Sequence, residues 1–179
     1  MGGQDDFYQT DEQTEQAVAS MYSSLKGLYY NWFFIKNLLS DDVWCGGGQR
    51  GDNTSLEQLN EYTYGTDNGM IQGVFSGLYG LIYQSNLVIE KVADDTPAKK
   101  RAIAEAKFFR AWANFELVTL WGTAPLVDHL LEPGEYRQGN STPEALWAAD
   151  AQHRLLPADS GHPAAGRTRQ APAVSPDAA

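Results

Sequence analysis

The residues equipped to bind or react concentrate between Ser40 and Gly69. Gly46, Gly48 and Gly51 spell G-x-G-x-x-G, the spacing of a dinucleotide-binding turn. Such a turn works where a buried strand feeds it and a helix opens at its last glycine, so that backbone N–H groups converge on a pyrophosphate. Here Ser40-Asp41-Asp42-Val43-Trp44-Cys45 precedes it and Asp52-Asn53-Thr54-Ser55 follows, so no strand–turn–helix unit can be drawn. The glycines read as a plain loop. Asp41, Asp42 and Asp52 offer oxygen ligands to calcium, but not at EF-hand spacing, and acid-rich loops are ordinarily solvated. His129, His153 and His162 form no pair at helical spacing and no triad. Cys45 has no histidine or basic residue directly beside it and reads as a passive thiol. Nothing selects two carboxylates for glycoside hydrolysis. Catalytic residues, cofactors and metals are therefore not expected.

Three aromatic residues of the same stretch, Trp44, Tyr62 and Tyr64, sit among glycines and polar residues rather than at helical spacing. A flat ring beside carboxylates and amides suits a sugar: the ring covers the C–H face while the polar groups bond the hydroxyls. Anchoring of the loop into the core is the competing reading for each ring. With Trp44 as the stacking surface, Asp41, Asp42 and Asn53 are the nearby polar candidates. Arg50 can donate in a bidentate manner to a carboxylated sugar.

These residues must be positioned by helices. Thr10 and Gln13 form a capping-box pattern, and Asp11 and Glu12 suit a first turn. Val18, Met21, Tyr22, Leu25 and Leu28 then mark one face. A break near Gly27 is expected; the alternative carries the stripe on through Trp32, Ile35 and Leu39. Turn-forming residues dominate 40–69, a long loop with one helical turn near Leu56–Tyr62. A second long helix is predicted from Met70 to Ala93. Its Gly73, Gly77 and Gly80 are explained by close approach of a neighbouring helix. Thr96 and Pro97 open a third helix, which Gly122 and Pro125 stop. Its apolar face holds Ile103, Ala106, Phe109, Ala113, Leu117 and Leu120, widened by Phe108, Trp112 and Phe115. The short link between the second and third helices predicts an antiparallel hairpin. Thr142-Pro143-Glu144 opens a fourth helix. Residues 151–179 hold no aromatic residue and four of the eight prolines, and read as a low-order Ala/Pro-rich tail.

The composition excludes several classes. The 179 residues are long enough for a buried core. A net charge of −10 argues against a nucleic-acid partner. No apolar run is long enough to span a bilayer as a helix, and one cysteine excludes an internal disulfide framework.

The third helix carries a resemblance. Ala104-Glu105-Ala106-Lys107-Phe108-Phe109-Arg110-Ala111-Trp112, then Leu120-Trp121-Gly122-Thr123-Ala124-Pro125-Leu126-Val127, resembles the signature of the SusD/RagB family. Leu78-Tyr79-Gly80 through Asn86-Leu87-Val88-Ile89 resembles that family's preceding helix. Tyr22-Ser23-Ser24-Leu25 and Ser40-Asp41-Asp42-Val43-Trp44 resemble its first helix and the loop after it. The resemblance covers about residues 8–150 and implies an all-α fold of tetratricopeptide-like helical hairpins with a long binding loop. It implies a non-enzymatic surface lipoprotein of the outer membrane. Such a protein binds a glycan or other nutrient and delivers it to a SusC-type TonB-dependent transporter.

Two departures shape the expectations. Met1–Asp6 has no basic or apolar leader and Cys45 is internal, so neither the signal peptide nor the lipid-site cysteine of the family is seen. Family members are also several-fold longer, and the resemblance stops after Trp147 except for Leu155-Leu156-Pro157. The chain is expected to be the amino-terminal portion of such a protein, with 151–179 either a truncated, frameshifted reading or a natural short form. A cytoplasmic helical-repeat adaptor for a protein partner is the alternative function.

Overall fold

In the computed structural model, residues 4–152 are described, and their architecture is all-α. After a short 3-10 turn, Gln4–Gln9, five helices follow: α1 Asp11–Leu38, α2 Thr54–Asn60, α3 Gly69–Lys91, α4 Pro97–Trp121 and α5 Pro143–Gln152. The tail reading of 151–179 falls outside the described residues, apart from 151 and 152, which end α5.

The capping residues act as the sequence predicts. Thr10 Oγ1 accepts from Gln13 N (3.2 Å) and Gln13 Oε1 accepts from Thr10 N (3.2 Å), a complete capping box. Thr96 caps α4 with Pro97 behind it, and Gly122, at φ +75°, ends it. The expected break at Gly27 does not occur: α1 runs unbroken for 28 residues. A single glycine costs a helix about 1 kcal/mol. Burial of Met21, Leu28, Ile35 and Leu38 along one face on both sides of Gly27 outweighs that.

Side-chain contacts set the helix directions. Phe75 meets Trp121 and Arg110 bonds Asn86, so α3 and α4 are an antiparallel hairpin. Ser24 bonds Gln84 while Gly77 lies against Leu28, so α1 is antiparallel to α3. Tyr22 bonds Glu105 and Trp32 bonds Glu116, so α1 runs parallel to α4. The core lies where the three meet, around Met21, Leu78, Leu81, Ile82, Phe109, Ala113 and Leu117.

The glycines of α3 divide. A Cβ on Gly73 would collide with Asn31 Nδ2, and one on Gly77 would stand 2.8 Å from Leu28 Cδ1. Those two permit close approach, as expected. Gly80 has open space around it, so close approach does not explain it. The face of α4 is narrower than expected: Phe108 and Phe115 are exposed, and Phe115 instead meets Trp147 of α5, ring to ring at 5.7 Å.

Segment 123–142 is tied to the hairpin by polar groups. Tyr79 donates to Pro125 O (2.7 Å), Asn86 Nδ2 to His129 O (2.9 Å) and Leu130 N to Glu90 Oε1 (2.7 Å). Buried Arg110 donates to Asn86 Oδ1 and to Asp128 O. Burying this guanidinium is tolerable because acceptors meet it.

Candidate functional site

The loop after α1 is shaped by one side chain of α2. Asn60 Nδ2 donates to Val43 O (3.1 Å) and Asn60 Oδ1 accepts from Cys45 N (2.9 Å). The two bonds pin the backbone on either side of Trp44. Trp44 is 76% exposed and Val43 is exposed too, while Cys45 packs against the core. Core anchoring is thereby excluded for Trp44. Tyr62 and Tyr64 are exposed as well.

The glycine motif closes on an aspartate. Gly48 N and Gln49 N donate to Asp52 Oδ2 at 2.7 and 3.0 Å, and Gly51 N donates to Glu57 Oε1 at 2.7 Å. The amides that a dinucleotide pyrophosphate would need are spent inside the loop. Gly51 takes φ +93°, a conformation that favours glycine.

Trp44 borders a shallow cavity of about 210 Å³ whose other walls include Gln49, Arg50, Glu57 and Glu61. Arg50 Nη2 lies 2.8 Å from Glu61 Oε2, with the arginine side chain largely exposed. The Cys45 thiol, also on this wall, is pushed up in pKa by burial and then by Glu57, an environment that disfavours the thiolate. The site therefore offers a flat ring, a guanidinium donor and two carboxylate acceptors. That set can hold a hydroxylated ligand and contains no activated nucleophile.

Of the five candidate residues, the fold brings Trp44 and Arg50 to this cavity. Asn53 is committed elsewhere: its Oδ1 accepts from Leu56 N (3.2 Å) as the N-cap of α2. Asp41 and Asp42 are exposed in the turn that follows α1 and do not line the cavity. Glu57 and Glu61 were missed. Their i, i+4 spacing on the predicted helical turn places both on one face, a signal present in the sequence.

Among the described residues, no group of three or more His, Cys, Asp or Glu is placed to hold a metal ion. No described helix is long and apolar enough to cross a membrane. A larger cavity of about 440 Å³ lies between the ends of α1 and α4, walled by Ile35, Leu39, Tyr64, Ile71, Leu120 and Trp121.

With the geometry in place, likeness to known proteins can be set beside it. A family model, SusD-like, described as starch-binding and associating with the outer membrane, matches residues 4–151. A SusD-like protein of Formosa agariphila is 26% identical over 144 residues, which cover 77% of this chain and 28% of that one. A SusD-like protein of Bacteroides ovatus is 30% identical over 131 residues, 68% of this chain and 22% of that one. This chain thus spans between about a fifth and a third of the length of the curated relatives it matches. A laminarin-binding SusD-like protein of solved structure superposes with a TM-score of 0.73 at 25% identity, over 82% of this chain and 33% of that one. The expected arrangement, all-α with tetratricopeptide-like hairpins, is the one found.

Proposed function

The chain belongs to the SusD-like family, and from that premise we propose that it binds a glycan or other nutrient at the outer-membrane surface without chemically altering it. The observation that carries the reading is Trp44, held out by Asn60 beside the Arg50–Glu61 pair. What sets Trp44 apart from the other exposed rings is its place on a cavity wall beside a guanidinium and two carboxylates, the combination of flat ring and hydrogen-bonding groups that a sugar needs. A pyranose ring stacks on the indole while Arg50 donates to its hydroxyl oxygens and Glu57 and Glu61 accept from its hydroxyl groups. Asp41 and Asp42 extend the polar rim in this reading, and Asn53 contributes by holding the start of α2. The likeness to a laminarin-binding protein supports a glucan as the first ligand to try. Delivery to a SusC-type TonB-dependent transporter completes the proposal, on the strength of the family resemblance.

The test is affinity electrophoresis of the 179-residue chain through gels cast with laminarin, starch or xylan. Retardation by laminarin is expected, and Trp44→Ala should weaken it about tenfold, ~1–2 kcal/mol. Equal mobility in all gels, or a Trp44→Ala variant retarded as strongly as the wild type, refutes the reading.

A further inference from the structure

A cavity of about 340 Å³ opens between the first halves of α1 and α4. It lies about 24 Å along α1 from the end that leads to Trp44, at 1.5 Å per residue from Tyr22 to Leu38. Tyr22, Glu15, Arg101 and Glu105 surround it, with Ala102 at its floor and Ala19 at its exposed edge. The Tyr22 ring stands on Phe109, centroids 4.8 Å apart and planes at 86°, and its hydroxyl donates to Glu105 Oε2 at 3.2 Å. Tyr22 is nonetheless 53% exposed. Arg101 reaches both carboxylates, with Nη2 3.5 Å from Glu15 Oε1 and Nε 3.6 Å from Glu105 Oε1.

The same ingredients surround Trp44: an exposed ring, an arginine paired with a glutamate, and a second glutamate. We infer that the cavity framed by Tyr22, Glu15, Arg101 and Glu105 is a second subsite for a neutral sugar unit, so that one long glycan is held at two places. This inference rests on the glycan-binding reading above. One guanidinium against two carboxylates leaves no spare positive charge, which disfavours an anionic sugar. Hydroxyl groups suit the set, because each can donate to a carboxylate and accept from the guanidinium. The alanine floor leaves the space that a larger side chain would fill. Between the two sites, Tyr29 and Phe33 stand exposed seven and eleven residues beyond Tyr22, on the same side of α1.

Two linked contacts make the second one intramolecular, so affinity must rise with glycan length. Isothermal titration of the full chain with laminarin and with laminaritriose reads this directly. Laminarin should bind about a hundredfold more tightly than the trisaccharide, per site. Arg101→Ala, and Ala19→Arg, which fills the cavity from an exposed position without touching the Phe109 contact, should each remove most of that advantage. If both variants keep wild-type affinity for laminarin while Trp44→Ala weakens it about tenfold, the second subsite is overturned and the Trp44 site stands. If they weaken laminarin binding and Trp44→Ala leaves it unchanged, the Trp44 site falls and the two-point hold falls with it. A wild-type chain that binds neither probe overturns both.

Discussion

Gly80→Ala should stabilise the protein and Gly77→Ala should destabilise it, although the two sit three residues apart in α3. In a helix interior, glycine is about 1 kcal/mol worse than alanine. A Cβ on Gly80 meets nothing within 4 Å. The whole gain of ~1 kcal/mol is therefore realised, raising the melting midpoint by about 2–4 °C in a domain of this size. A Cβ on Gly77 stands 2.8 Å from Leu28 Cδ1, 3.8 Å from its Cγ and 3.9 Å from its Cβ. Leu28 is itself buried in the α1–α3 contact, so displacing its side chain disturbs core packing. Overpacking of this kind costs about 1–3 kcal/mol, which exceeds the propensity gain. The net loss is about 1 kcal/mol, and the two variants differ by about 2 kcal/mol. Reversible urea melts followed by circular dichroism measure the difference. If Gly77→Ala is as stabilising as Gly80→Ala, α1 and α3 do not approach as described, and the explanation for the glycine spacing is wrong.

Three further outcomes follow from the polar contacts. Thr10→Ala breaks the capping box and should cost about 1 kcal/mol in the same melts, with the loss confined to the start of α1 in hydrogen exchange. Lys36→Met removes the cation 2.8 Å from the buried Glu116 carboxylate and leaves it the neutral Trp32 Nε1–H donor at 2.9 Å, so about 2 kcal/mol should be lost; an unchanged midpoint contradicts this. Segment 123–142 should protect its amides best in a pH window. Hydrogen bonds to Asp128 and then Glu135 raise the His129 pKa above 6.5, so its contribution is complete below 6.5 and fades as pH rises through the raised value. The lowered pKa values of Asp128, through His129, and of Glu135, first through Glu132 N, make their contributions fade as pH falls below the usual carboxylate range. His129→Gln should flatten the alkaline limb, and a histidine titrating at or below 6.5 by NMR contradicts the arrangement.

The helices were legible because local signals agreed with global packing. Thr10/Gln13 and Thr96/Pro97 name helix starts in the sequence, and the structure uses both. Gly27 misled because glycine propensity is a weak local term and the apolar stripe on either side of it is a long-range one. Phe108 and Phe115 misled for a related reason: helical periodicity says which residues share a side, not how far the neighbouring helices reach around it. The loop was legible as a place but not as a geometry. Nothing local in Val43-Trp44-Cys45 announces that Asn60, fifteen residues past Cys45, pins both flanks of the tryptophan. Asn53 looked like a ligand contact because asparagine suits sugars, but it suits helix N-caps equally well, and the cap is the role observed.

The central claim, that a glycan stacks on Trp44, is open to one direct measurement. In a ¹H–¹⁵N spectrum of the full chain, each of the five tryptophans gives one indole signal. The Trp44 signal is assigned by its loss in Trp44→Ala. On titration with laminarin-derived oligosaccharide, that signal should shift progressively, while the Trp32 indole, bonded to Glu116 in the α1–α4 contact, stays in place. A Trp44 signal that does not move at saturating oligosaccharide contradicts the account.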